Sequence, residues 1–205
     1  MKKFYFFIFI MLLTISYWGI PKLGTQIGAY LIVYDKFESV EYLIANDLTL
    51  KASEYVNSGK VKKVLMTVDD EPKGFWQAFN IMSSNLKIRE KAARLGIPQE
   101  KVLIYKKNFA GEIDRIIFYK HILKSLNAKS VLFFDSFYRT RTRRFFLDRY
   151  YQGSNIKTYV QHEENIEEKE LNSWWKKTIY ANLFLEQYLA MGYYYLNKAL
   201  WTRGI

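Results

Sequence analysis

Residues 131–141 read VLFFDSFYRTR. The first four residues of this stretch contain no polar side chain, and such a short apolar run is typical of a strand buried on both faces of a parallel sheet. We therefore predict a strand at 131–134, near the centre of a sheet. The next residues, Asp135 to Arg141, bring a carboxylate, a hydroxyl and two guanidinium groups to the carboxyl end of that strand. Ligands of open parallel sheets bind at this end, so the same stretch predicts a site.

Apolar runs alternate with longer stretches of helical periodicity on both sides of this segment, which is typical of βαβ units. Two glycines, Gly59 and Gly96, stand where helices would end. We predict an α/β fold with an open, mostly parallel five-stranded sheet and helices on both faces. The predicted strands are 30–34, 61–68, 102–105, 131–134 and 156–160, and the predicted helices are 47–58, 83–95, 111–126, one ending near Tyr151, and 170–200.

The amino terminus carries an apolar stretch, residues 4–20, that follows Lys2 and Lys3 and contains no charge. About 17 residues is near the lower limit for spanning a bilayer. A cleaved signal peptide is the alternative, but its apolar stretch is shorter and small residues follow it, whereas Tyr17 and Trp18 stand here. We predict an uncleaved single-pass anchor in the cytoplasmic membrane. The two lysines favour the cytoplasmic side, so the remainder is expected on the outer, periplasmic or extracellular, side.

The rest of the chain is predicted to form one domain, residues 23–205, after an anchor at 1–22. It contains no cysteine, so no disulfide or cysteine-based metal site can form, and its own core must hold it together. Between residues 178 and 196 the only charged residue is Glu186. A second membrane span is the alternative there, but polar groups in its middle are costly in lipid. We predict instead a C-terminal helix packed on the domain, with aromatic residues at the membrane surface.

The net charge of +11 at pH 7 raises the question of nucleic-acid binding. Basic residues are spread along the chain, however, and the segment after His162 is acidic. Attraction to anionic lipid headgroups is the simpler explanation for an exported protein. We therefore predict membrane lipid as a partner, possible envelope protein partners, and no nucleic acid.

Four predicted strand ends supply the candidate site residues, because helix N–H groups point towards that edge of the sheet. Arg offers a planar fork that matches phosphate or carboxylate oxygens. The alternative is that Asp135 caps the next helix while Arg139, Arg143 and Arg144 form its solvated face. The candidate ligand-binding residues are Ser136, Arg139, Arg141, Asp35 and Thr67, and the candidate catalytic residues are Asp69, Asp135 and Glu112.

Two acidic groups could suggest a metal, but both have simpler explanations. Asp69, Asp70 and Glu71 could offer oxygen ligands to a divalent cation, yet consecutive loop carboxylates are more often solvated. Glu112 and Asp114 fit the first turn of a helix, where the helix dipole favours acids. We predict no metal site. The sequence has no Gly-rich phosphate loop, G-x-S-x-G elbow or H-E-x-x-H motif, and it assigns no cofactor.

Several of these segments together resemble the YdcF-like family, which includes the ElyC and SanA branches and is catalogued as a domain of unknown function. Residues 131–141 are similar to the family's strand followed by Thr-Ser, an aromatic residue, a His and an Arg, and Ser136 and Arg141 keep that pattern. The turn LGIP at 95–98 and the strand VKKVLMT at 61–67 are similar as well, and Trp174-Trp175 with Glu186 resembles the C-terminal helix of one branch. The resemblance covers residues 30–196.

The chain also departs from the family pattern. Residues 67–69 read TVD where the family usually has Ser-Gly-Gly, so the backbone cradle for a phosphate is missing or rebuilt. Asp47 stands where an Arg is common, and Gly111 and Asp114 match the family's Thr and Asn only in part. Arg139 replaces the expected His, so a proton-transfer role for that His does not carry over.

The resemblance implies a Rossmann-like fold and a role in envelope polysaccharide or cell-wall metabolism. Three functional hypotheses remain open at this stage. The protein could bind a phosphate-bearing ligand, such as a nucleotide or a lipid-linked sugar. It could be a hydrolase or transferase acting on the same ligand class, with Asp69, Asp135 or Glu112 supplying acid, base or metal chemistry. It could also be a structural partner of other membrane proteins.

Overall fold

A computed structural model of the chain describes residues 26, 29–30, 32–68, 75–163 and 177–201. The chain divides into two compact units, one of residues 33–165 and one of residues 1–32 with 166–205. The elements of the first unit are β1 (Val40–Ile44), α1 (Leu50–Asn57), β2 (Val61–Val68), α2 (Phe75–Arg94), β3 (Val102–Lys106), α3 (Glu112–Ser125), β4 (Ser130–Asp135), α4 (Thr140–Tyr150) and β5 (Lys157–His162), with 3-10 turns at Gln99–Lys101 and Phe137–Arg139.

All five strands run parallel in the order β3-β2-β1-β4-β5, which confirms the predicted α/β fold and five-stranded sheet. Successive residues of β4 face opposite sides of this sheet. Leu132 and Phe134 join a buried cluster with Ala52 of α1 and Ala92 of α2. The ring of Phe133 instead meets Tyr119 of α3, with the ring centroids 6.4 Å apart. Helices therefore cover both faces, and the strand order makes the unit Rossmann-like.

Helix ends in the first unit follow local sequence signals. The hydroxyl of Thr49 accepts a hydrogen bond from the backbone N–H of Ala52 at 3.2 Å and so caps the start of α1. Gly59 and Gly96 lie just beyond α1 and α2 with φ values of +77° and +68°. Side chains with a Cβ atom rarely adopt this left-handed conformation, so glycine is favoured at both ends, as the sequence predicts.

The predicted first strand, residues 30–34, is wrong. Tyr30 is helical, residues 32–34 are outside the sheet, and the central strand is Val40–Ile44 instead. Glu41 interrupts the apolar run of β1. Its side chain lies at the start of the strand, where it accepts a hydrogen bond from the backbone N–H of Lys129. The other four strands are confirmed, with β4 inside the sheet and β5 at its edge.

The described part of the second unit consists mainly of α5 (Thr178–Trp201). The ring of Tyr188 in this helix stacks on that of Tyr30, with centroids 6.3 Å apart. Among the described helices, none combines the length and the apolar character that crossing a membrane requires. The predicted anchor at 1–22 lies outside the described residues, as does the predicted start of the C-terminal helix. The assignment of this helix to the α/β domain stays a prediction.

Candidate functional site

The strand order reverses between β1 and β4. From β1 the chain builds outward through β2 to β3, and it then returns along α3 to build β4 and β5 on the other side of β1. In open α/β sheets, ligands bind beyond the carboxyl ends of the two strands at such a reversal. We call this place the switch-point edge. It comprises the residues that follow β1 and β4 and the first two turns of α3.

A buried arginine, Arg143 of α4, lies at the switch-point edge between two carboxylates. Its Nε and Nη2 atoms are each 2.8 Å from Oδ2 of Asp135, and its Nη1 donates to Oε1 of Glu112 at the start of α3. Only 4% of the Arg143 side chain is exposed, and only 2% of that of Asp135. The guanidinium therefore joins the end of β4 to α3 by charge-assisted hydrogen bonds.

Arg139 completes a cluster of four charges, made of Asp135, Glu112, Arg139 and Arg143. Its Nη2 lies 3.1 Å from Oε2 of Glu112, and its Nε lies 3.8 Å from Oδ1 of Asp135. Its side chain is one-third exposed, with 33% of its surface open to solvent. Two of the candidate catalytic residues and one candidate ligand-binding residue are thus brought together, and with Arg143 the cluster holds two negative and two positive charges.

The electrostatics of the cluster keep Arg143 charged. Burial alone would lower the pKa of Arg143, but the negative charges of Asp135 and Glu112 outweigh that effect and hold the pKa above its usual value. Tyr119 lies two turns after Glu112 on α3. Burial raises the pKa of its hydroxyl, so this group stays neutral at physiological pH. The Tyr119 hydroxyl lies 3.1 Å from that of Thr67 on β2.

The carboxylates of the cluster are already engaged by the protein. Oδ1 of Asp135 accepts the backbone N–H of Ser136 at 2.9 Å, while Oδ2 accepts from Arg143. Both oxygens of Glu112 accept from arginines. A general base must have a lone pair within reach of a substrate proton. The arrangement is therefore suited to holding the ends of β4 and α3 in place, with Arg139 as its most exposed member.

The alternative interpretation of the arginines as a solvated helix face is wrong for Arg143, which is buried. The predicted helix cap by Asp135 is not formed; instead, its Oδ1 accepts the backbone N–H of the next residue, Ser136. The hydroxyl of Ser136 does not cap the following turn. Arg141 is half-buried in the first turn of α4 and is two residues from Arg143, so it lies on a different side of the helix. Asp69 lies outside the described residues.

Asp35 lies elsewhere, because it precedes β1 instead of following a strand. Its backbone N–H donates to the carbonyl of Val160 at 2.9 Å, and its Oδ2 accepts the N–H of Val160 at 2.7 Å. Arg144 pairs with the same carboxylate oxygen. These contacts cover the outer edge of β5, which would otherwise present unpaired backbone groups. They give Asp35 a structural role in the edge strand.

Sequence reasoning missed Arg115, which lies in α3 at the switch-point edge. Its Nη1 donates to Oδ1 of Asn46, just after β1, at 3.3 Å. Its guanidinium carbon lies 5.1 Å from the centre of the Phe109 ring. Its Nε is buried and has no hydrogen-bond partner in the part of the chain that the structure describes. Helical spacing could have found it, because Glu112 and Arg115 are three residues apart and thus neighbours on one face of α3.

The part of the chain that the structure describes contains no group of three or more His, Asp or Glu side chains placed to hold a metal ion. No protein-family model matches the sequence, and a search of curated proteins gave no significant match. The case for a function therefore depends on the fold and on the geometry of the switch-point edge.

Proposed function

We propose that the protein binds a phosphate-bearing small molecule, of the nucleotide or lipid-linked sugar type, at the switch-point edge. We place this activity in a membrane-anchored envelope protein whose domain faces the outside. The apolar stretch at residues 4–20 supports the anchor, and the resemblance to the YdcF-like family supports a role in envelope polysaccharide or cell-wall metabolism.

The observation that carries the proposal is the reversal of strand order between β1 and β4, with arginines on either side of it. Arg115 approaches the end of β1 from α3, and Arg139 follows β4 directly. The partly buried Ser136 lies between β4 and Arg139 and adds a hydroxyl that could donate to a phosphate oxygen. Guanidinium and hydroxyl donors at a switch point are a chemistry suited to phosphate oxygens.

Binding is better supported than catalysis at this place. The candidate catalytic residues Asp135 and Glu112 are tied to Arg139 and Arg143, so their oxygens are occupied by donors of the protein itself. A ligand can still meet the exposed side of Arg139. The geometry thus supports recognition of a ligand without a free acid or base from the cluster.

A thermal-unfolding experiment on the full-length chain in detergent tests the proposal. A ligand that binds only the folded state raises the thermal midpoint. At a concentration one hundred times its Kd, it adds about 2.7 kcal/mol to the free energy of unfolding. We expect ADP, UDP-glucose or inorganic pyrophosphate to raise the midpoint. Absence of any shift with all three compounds, in a protein with a cooperative transition, would contradict the proposal.

Two variants locate the site in the same experiment. Ser136→Ala removes a hydroxyl that makes no capping bond, so the fold should be kept while affinity falls about fivefold, the loss of one hydrogen bond of about 1 kcal/mol. Arg149→Ala is the matched control, because Arg149 is an exposed arginine near the other end of α4. Equal ligand shifts in both variants and the wild type would place the ligand elsewhere.

A further inference from the structure

We infer that Arg115 is the residue of the switch-point edge that binds an oxyanion of the ligand, with a phosphoryl group as the matching chemistry. This inference rests on the proposed function and deepens it, because it assigns the anion-recognising group. It also concerns a residue for which the sequence pattern gave no site prediction.

The arginines near the carboxyl edge differ in their partners. Arg139 and Arg143 are paired with Glu112 and Asp135, and Arg144 is paired with Asp35. The guanidinium of Arg115 contacts two neutral groups, the amide oxygen of Asn46 and the face of the Phe109 ring. Within the described ranges no carboxylate forms an ion pair with Arg115. Its positive charge is therefore left uncompensated there.

The environment of Arg115 favours an anion for two physical reasons. The guanidinium is half-buried, so water screens its charge less than at an open surface. Its Nε is a buried donor without an acceptor among the described residues, so the cation is poorly solvated on that side. The part of the guanidinium that stays open to solvent can donate to phosphate oxygens, and an oxyanion bound there would supply the missing counter-charge.

The neighbours of Arg115 also hold it ready for a ligand. Phe109 lies against the guanidinium, and Asn46 accepts from Nη1, so the side chain is fixed before a ligand binds. Glu112, one turn earlier on α3, could neutralise Arg115, but both of its oxygens accept from Arg139 and Arg143. The four-charge cluster thereby engages the carboxylate that precedes Arg115 by one turn of α3.

Calorimetric titration of the full-length protein in detergent with inorganic pyrophosphate and with ADP tests the inference. We expect Arg115→Ala to weaken binding of both compounds at least tenfold, and Arg115→Lys to weaken it less, because lysine keeps the charge and loses the planar fork. Arg149→Ala should bind like the wild type. If neither compound binds the wild type, the proposed function fails; if both bind and Arg115→Ala binds equally well, only the assignment of Arg115 fails.

Thermal unfolding without ligand supplies a second and independent readout. Removal of a buried, paired arginine leaves a carboxylate without its partner and lowers the midpoint strongly, whereas removal of Arg115 loses only its contacts with Asn46 and Phe109 and lowers the midpoint little. We expect Arg115→Ala to show the second behaviour. A decrease as large as that of Arg143→Ala would show that Arg115 has a counter-charge within the chain, for example from Asp69, Asp70 or Glu71, and would overturn the inference.

Discussion

Arg143 and Arg144 are consecutive residues of α4, but they lie in two different environments. Arg143 points towards the carboxyl end of β4, where 4% of its side chain is exposed and its guanidinium carbon lies 5.9 Å from the centre of the Phe133 ring. Arg144 points towards β5, where 20% of its side chain is exposed and it contacts Asp35 and the carbonyl of Thr158. Neighbours in a helix differ by about 100° in direction, which allows one helix to serve both places.

The difference indicates that the contribution of an ion pair to the free energy of unfolding depends more on its burial than on the number of its contacts. At Arg143, the partner Asp135 is almost completely buried, so water cannot replace a lost guanidinium. At Arg144, a quarter of the Asp35 side chain is exposed, so water can solvate the carboxylate if the arginine is removed. Variants of the two arginines test this comparison, and a third prediction concerns a carboxylate elsewhere, Glu41 of β1.

The largest effect is expected from Arg143→Met. This change leaves Asp135 and Glu112 without their shared guanidinium, and breaking a buried pair in this way costs about 3–5 kcal/mol. Equilibrium denaturation of the full-length protein, followed by circular dichroism at 222 nm, measures the loss of unfolding free energy. A loss below about 1 kcal/mol would show that water or a rearranged Arg139 can take over, and the comparison would fail.

The triple variant Glu112→Gln, Asp135→Asn and Arg143→Met is the control for that prediction. It removes both negative charges together with the charge of Arg143, and the remaining charge, that of Arg139, is one-third exposed and can be solvated by water. We expect the triple variant to regain most of the stability that Arg143→Met alone loses, because replacing a whole buried pair is often close to neutral. If the triple variant is less stable than the single variant, the stability lost in Arg143→Met comes from packing and not from unpaired charge.

A smaller effect is expected from Arg144→Ala. The loss of a partly exposed ion pair should lower the unfolding free energy by about 1 kcal/mol or less. The local effect should be clearer, because Asp35 then loses the group that holds it against Val160. Hydrogen-exchange mass spectrometry should show faster exchange at residues 157–162 while β4 is unchanged. A loss as large as that of Arg143→Met would erase the difference between the two environments.

The smallest effect concerns Glu41 at the start of β1, and it depends on pH. The backbone N–H of Lys129 donates to Oε2 of Glu41 at 2.6 Å and lowers the pKa of this carboxyl below its ordinary value of 4.5. The folded state therefore binds this proton less tightly than the unfolded state, and the carboxylate stabilises the fold above pH 4.5. This contribution disappears as the pH falls through the lowered pKa.

Glu41→Gln should accordingly lower the thermal midpoint slightly at pH 7 and have less effect the more acidic the solution is. The measurement is the thermal midpoint of the two proteins between about pH 3 and pH 7, a range that includes the titration of a carboxyl group. Exposed Glu54→Gln on α1 is the matched control. A difference between Glu41→Gln and the wild type that grows in acid would have the wrong sign for this explanation.

Most of the fold could be predicted because its signals are local. Strands β2 and β4 are dense apolar runs, and Gly59 and Gly96 mark the helix ends. The central strand β1 was missed for a physical reason. A strand buried in the middle of a sheet can still begin at the rim, where Glu41 reaches a hydrogen-bond donor, and this charge hides the apolar pattern.

The candidate site could be predicted only in part. The sequence placed Asp135 and Arg139 at one strand end, and they do lie together. The pairing of Arg139 with Glu112, 27 residues away, depends on how α3 returns across the sheet, and no local pattern contains that information. Arg115 was missed because its partners, Asn46 and Phe109, come from two different loops. The ligand-binding roles of Arg141 and Thr67 stay predictions.

The position of β1 in the middle of the sheet has a consequence for how the chain folds during its synthesis. One edge of β1 pairs with the nearby β2, but the other pairs with β4, where Tyr42 lies beside Val131, 89 residues later. Strands β1 to β3 can therefore assemble first, and the backbone N–H and C=O groups on the other edge of β1 stay unpaired until the chain has been extended from Lys106 to Asp135. At about 5–20 residues per second this takes seconds, during which the nascent chain is open to aggregation and is a natural client for a chaperone.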